Sequence, residues 1–191
     1  MSRGRLEAFS DGVLAIVITI MVLNLAPPAG ASLADLLQIW PKFLAYLVSF
    51  AFIGIYWVNH HHLLQAARTV DGRVLWANML LLFCLSLIPF GTAWMGETAF
   101  APVPVATYGL LGLLPAMAYY ALVRALIAAP GQPDTLATAI GADWKGKISP
   151  LVYLVSIPIA LVAPLVAFAL YVAVAAIWIV PDRRIERRIS T

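Results

Sequence analysis

Arg5-Leu6-Glu7-Ala8-Phe9-Ser10-Asp11 runs without a break into the apolar stretch from Gly12 to Ala26, and this junction decides how the chain is read. A carboxylate about a turn inside a membrane-length helix is costly, so Asp11 reads as a functional residue that needs a partner. Arg5 is the nearest candidate: six residues of helix rise about 9 Å, within reach of long side chains or a bridging water. Removing one member of such a pair is expected to cost about 3 to 5 kcal/mol, because the other is left uncompensated.

Composition fixes the class. With 63% hydrophobic and 11% charged residues among 191, and several apolar stretches of about 17 to 25 residues, the chain reads as an all-α polytopic integral membrane protein. The first apolar stretch is not a signal peptide: it is long, holds Asp11 near its start and ends at Pro27-Pro28 without a small-residue cleavage site. The lone Cys84 lies in an apolar run and reads as a packing residue.

Six spans are expected in one bundle that takes up the whole chain, 1–191, as a single domain: about 9–26, 40–64, 75–95, 105–127, 148–162 and 164–180. Pro130-Gly131-Gln132-Pro133-Asp134, in the longest connection, is turn chemistry. The region 148–180 is too long for one span and barely long enough for two, so charge decides it. Broken near Ala163-Pro164, it leaves Arg3, Arg5, Arg68, Arg73, Arg124, Lys145, Lys147, Arg183, Arg184, Arg187 and Arg188 on one side and only Lys42 on the other. The positive-inside rule then puts both termini in the cytoplasm. The net charge of +3 follows from basic residues at the lipid headgroups and does not argue for nucleic acid.

This topology brings three polar clusters to one depth: Arg5 to Asp11; Trp57, Asn59, His60, His61 and His62; and Trp76 with Asn78. An interlocked set of Arg5, Ser10, Asp11, a histidine and Asn78 would give each polar group a partner. Taken singly, His61 and His62 read as interfacial anchors. A metal site is disfavoured, since consecutive helical residues point about 100° apart and three in a row cannot converge on one ion. No cofactor motif, phosphate loop or catalytic constellation is present, so an enzyme is not expected.

The first helix has two faces. At about 100° per residue, Gly12, Ile16, Thr19 and Leu23 form a narrow stripe with Ile20 at its edge, and Asp11 points well over 100° away from Ile16. Such a stripe is usually lipid-facing or packed, and the sequence alone does not separate those readings from a pore lining. There is no TVGYG carbonyl filter, and no span carries an acidic ring other than Asp11.

The pattern R-x-x-x-F-S-D, filled by Arg5, Phe9, Ser10 and Asp11, resembles the signature of the transmembrane-protein-175 family of potassium channels. Trp57-x-x-His60, Asn78 and Ser86-Leu87-Ile88-Pro89-Phe90 are similar to that family as well. The resemblance implies a cell-membrane channel, homotetrameric like the single-repeat bacterial members, with four copies of the first helix around a central pore that passes potassium ions. It implies that Ile16 is the constriction, that Ile20 and Leu23 are further hydrophobic layers, and that Thr19 is a hydroxyl layer. It also implies that Arg5, Phe9, Ser10, Asp11, Trp57, His60 and Asn78 form a structural network that fixes the first helix. Ala15 stands where some members carry a serine. A secondary transporter using Asp11 and His60 as a titratable relay is the alternative.

Overall fold

A computed structural model describes residues 2–131 and 144–179. These residues form eight helical segments: α1 (Arg3–Leu23), α2 (Leu33–Gln38), α3 (Trp40–Ala66), α4 (Gly72–Ser86), α5 (Ile88–Glu97), α6 (Pro102–Ile127), α7 (Trp144–Val162) and α8 (Pro164–Ile179). Segments α4 and α5 abut at Leu87 and run as one apolar rod, Gly72–Glu97, so the described chain has seven rods.

The expected six spans are not what the structure contains. Four helices are long and apolar enough to cross a membrane: Arg3–Leu23, Trp40–Ala66, Gly72–Glu97 and Pro102–Ile127. The two C-terminal apolar helices, Ile148–Val162 and Pro164–Ile179, are shorter, at 10–17 residues. Sixteen residues of helix cover about 24 Å, short of a hydrocarbon core of about 30 Å. The helix is interrupted at Ala163, between the end of α7 at Val162 and the start of α8 at Pro164, so the two do not form one longer rod. The third expected span is a single rod by length but is broken at Leu87. Pro89 brings no N–H to the helix, and Leu87 serves both as the C-cap of α4 and as the N-cap of α5. Arg183, Arg184, Arg187 and Arg188, and the expected span beyond residue 179, lie outside the described residues.

Local sequence sets the other helix ends. Ser32 and Asp35 form a reciprocal capping box that starts α2. Asp71 accepts the Val74 backbone N–H at 3.0 Å and starts α4. Chiefly through that bond, and with help from Arg73 Nε at 3.1 Å, its carboxyl is held below the usual range. A depressed acid stabilises the fold above its unfolded-state pKa, and the contribution is lost as pH falls through the folded value. Asp71→Asn keeps an acceptor at the cap but cannot titrate. Melting temperatures measured from pH 7 down to pH 3 should therefore fall less steeply in that variant than in the parent.

The core lies where α6 packs on α4, α5 and α7, with α8 against α6 and α7. On α6, Gly109 and Gly112 leave room for the Tyr171 hydroxyl and the Tyr153 ring, which a Cβ at either glycine would strike. Helix α1 lies at one side of this body, against α3, α4 and α5. Leu6, Leu14, Val17 and Met21 are its buried apolar residues, and all four are at most 4% exposed.

Candidate functional site

Burial splits α1 lengthwise. Leu6, Ser10, Leu14, Val17 and Met21 face the rest of the chain. On the opposite arc Phe9, Ile16, Ile20 and Leu23 are 48%, 59%, 44% and 79% exposed, and Gly12, Ala15 and Thr19 are exposed beside them. The Thr19 hydroxyl donates to the Ile16 carbonyl at 2.9 Å, so the bond stays within the helix. Ile16, Thr19, Ile20 and Leu23 thus share an arc that their own chain leaves uncovered.

The buried face carries a hydrogen-bond chain of fixed direction. Its terminal acceptor is the Leu6 carbonyl, which can only accept, so the Ser10 hydroxyl donates to it at 2.8 Å. Ser10 Oγ in turn accepts from Asn78 Nδ2 at 3.0 Å. Asn78 Oδ1 therefore faces His60 Nε2 at 2.7 Å, and that ring nitrogen must carry the hydrogen. Ser10, His60 and Asn78 are each at most 1% exposed. Polar groups this deep among apolar helices hold their positions because the unpaired alternative is costly. His60 Nδ1 is the one buried side-chain nitrogen or oxygen without a hydrogen-bond partner among the described residues.

Beside this chain, α1 and α3 meet in an antiparallel ladder. Arg3 Nη1 donates to the Gln65 and Ala67 carbonyls, both at 3.0 Å. Glu7 Oε1 lies 2.8 Å from His61 Nδ1. Trp57 Nε1 donates to Asp11 Oδ1 at 2.9 Å, and the Trp57 ring stacks on His61 with centroids 5.9 Å apart. Each step of four residues along α1 meets a step of four back along α3, since residues four apart share a helix face.

Of the residues singled out in the sequence, Ser10, His60 and Asn78 join in one chain and Asp11 pairs with Trp57. Arg5 and Phe9 join neither. Arg5 is exposed and makes no ion pair with Asp11 among the described residues. Six residues correspond to about 600° of rotation, which leaves the two side chains about 120° apart around the helix. The rise brings them near and the twist separates them, so the penalty expected for breaking an Arg5–Asp11 pair has no pair to act on. The Glu7–His61 contact was not anticipated, although the four-residue spacings Glu7/Asp11 and Trp57/His61 are its signal in the sequence.

A second buried polar cluster was also missed. The Thr92 hydroxyl lies 2.7 Å from Ser49 Oγ and 2.8 Å from the Ile88 carbonyl, and Ser49 Oγ lies 2.9 Å from the Tyr108 hydroxyl. It ties α3, α5 and α6 together behind Met21 of α1. No group of three or more His, Cys, Asp or Glu side chains placed to hold a metal occurs among the described residues. The consecutive histidines point apart, His60 to Asn78 and His61 to Glu7.

Comparison with known proteins gives this geometry a context. The family model described as the endosomal/lysosomal potassium channel TMEM175 matches residues 5–89, which hold the buried chain, the exposed arc and the ladder apart from its Arg3 rung. A protein named as a potassium channel in Chryseobacterium sp. is 50% identical over 190 residues, covering 100% of this chain and 99% of its own. Human TMEM175, named as an endosomal/lysosomal proton channel, is 36% identical over 116 residues, which is 54% of this chain and 23% of the human protein. The crystal structure of a lysosomal potassium-selective channel TMEM175 homolog from Chamaesiphon minutus superposes with a TM-score of 0.83 at 30% identity, over 94% of this chain and 97% of that one. Matched over nearly its whole length both by a TMEM175 homolog of known structure and by a potassium channel with half its residues identical, this chain belongs to the TMEM175 family.

Proposed function

We propose that this protein is a potassium channel, not an enzyme, in which four copies of α1 surround a central pore in the cell membrane. The observation that carries this reading is the uncovered arc of Ile16, Thr19, Ile20 and Leu23, opposite a face of the same helix locked into its own subunit. A closed ring of identical subunits places one such arc from each copy on a common axis. Ile16 is then the narrowest hydrophobic layer, Ile20 and Leu23 are further layers, and Thr19 supplies hydroxyls between them. A ring of this kind gates by dewetting, and potassium, which sheds water more cheaply than sodium, passes it more readily.

Ser10, Asp11, Trp57, His60 and Asn78 serve this pore from behind. They hold α1 against α3 and α4 at a fixed rotation, and none of them contacts the permeant ion. The basic residues around Arg3, Arg68, Arg73 and Arg124 support a cytoplasmic N-terminal end of α1. The names of the relatives divide between potassium and proton channels, so the test measures both ions. Purified protein in planar bilayers should give unitary current steps that reverse near the potassium equilibrium potential and far from the proton one. Native mass spectrometry in mild detergent should show a tetramer. Flux without unitary steps, or only monomers and dimers, would overturn the proposal.

A further inference from the structure

We infer that Arg5 acts as a fixed positive charge at the N-terminal mouth of the pore, setting the rate at which cations enter from that side. The inference rests on the reading of the α1 arc as the pore lining. Arg5 and Leu23 are eighteen residues apart, or about five full helical turns, so they lie on one line along the helix. Ile16 falls within about 20° of that line. Arg5 therefore projects from the uncovered arc and not from the face packed on the subunit, in keeping with its exposure.

Every neighbouring charge on the ladder is already engaged elsewhere. Arg3 is held by two backbone carbonyls of its own chain, Glu7 by His61, and Asp11 by the Trp57 indole. Glu7, two residues from Arg5, points about 160° away around the helix, and Asp11 about 120° away. No hydrogen bond or ion pair to Arg5 occurs among the described residues. Four copies would thus put four uncompensated guanidinium groups around the axis, and rings of charged side chains are a standard means of controlling which ions enter a pore.

Distance limits what such a ring can do. Arg5 lies eleven residues from Ile16, about 16 Å along the helix, while the screening length is about 8 Å at physiological salt. The charge acts on the concentration of ions at the mouth and leaves the constriction's choice between potassium and sodium untouched. A change of about one kT in mouth potential alters the local concentration of a monovalent cation about 2.7-fold.

The test measures unitary currents carried from each side, in symmetric potassium chloride at about 0.02 M and at about 1 M, where the screening lengths are above 20 Å and about 3 Å. Arg5→Gln should raise current entering from the N-terminal side about two- to threefold at low salt, with little change from the other side and none at high salt. Arg5→Glu should exceed Arg5→Gln, Arg5→Lys should behave as the parent, and the potassium/sodium reversal potential should stay fixed in all three. Ile16→Asn serves as the control. If Arg5→Glu leaves low-salt currents unchanged while Ile16→Asn alters conductance, the mouth charge is refuted and the pore reading survives. If neither substitution has an effect, both fall. If Arg5→Gln and Arg5→Lys alike dismantle the tetramer, Arg5 is a contact between subunits and the inference is overturned.

Discussion

Ile16→Asn is expected to raise unitary potassium conductance several-fold and to move the reversal potential under a potassium/sodium gradient close to zero. An amide ring keeps water where an isobutyl-sized ring expels it, so the constriction stays wet and both ions cross with more of their hydration intact. Lowering the crossing barrier by about 1 kcal/mol would raise flux about five-fold. Ile16 is 59% exposed on its own subunit, so the substitution disturbs little of the subunit core, and the melting temperature should stay near that of the parent. Recordings at matched expression, with both potassium and sodium present, check the result. Unchanged conductance and unchanged selectivity would remove Ile16 from the constriction.

The second large effect is expected at Asn78, and it should be of the opposite kind. Asn78→Leu fills the space of the amide but strands the His60 Nε2–H and removes the donor to Ser10 Oγ, both in buried positions. Interhelical hydrogen bonds within membranes average well under 2 kcal/mol each, because the dissociated helices find other partners. An unsatisfied buried donor adds about 1 to 3 kcal/mol in soluble proteins. A total loss of about 2 kcal/mol is the expected outcome, read as a lower midpoint in detergent or thermal unfolding. The ion selectivity of the surviving channels should be unchanged, since Asn78 faces α1 from behind. Ser10→Ala placed on top of Asn78→Leu should cost less than it does alone, because one of the two bonds that it removes, the one from Asn78, is already gone. A stable Asn78→Leu channel with altered selectivity would move Asn78 from the scaffold to the ion path.

Much of this was legible in the sequence, for a physical reason in each case. Ser10, His60 and Asn78 stand out because hydroxyl, imidazole and amide groups within apolar runs must find one another or remain unsatisfied. The two faces of α1 follow from helical rotation alone, and the exposed arc coincides with the stripe drawn from Gly12, Ile16, Thr19 and Leu23. Where rise was used without rotation the reading failed: Arg5 and Asp11 are close along the axis and on different sides of it. The C-terminal apolar region misled because hydropathy reports only that residues avoid water. It does not separate a span from a short helix packed on its neighbours, and Ala167, Phe168 and Tyr171 are buried within the subunit. The break at Leu87 is legible in Pro89, whose missing N–H interrupts the run of helix hydrogen bonds.

The ladder between α1 and α3 also bears on how such a chain can change over generations. Arg3, Glu7 and Asp11 set the phase of α1, and only Gly12 to Ala15 separate Asp11 from Ile16. Those four residues act as a spacer whose length, more than its composition, carries information. A conservative substitution within it leaves both ends in place. One inserted or deleted codon would leave the ladder intact yet turn everything beyond it by about 100°. Ile16 would swing off the arc and a neighbour would take its place, while Val17 and Met21 would turn away from the core that they now fill. Length variation should therefore be tolerated in the connections and strongly selected against between Asp11 and Ile16, which a deletion scan read by potassium-dependent growth would reveal.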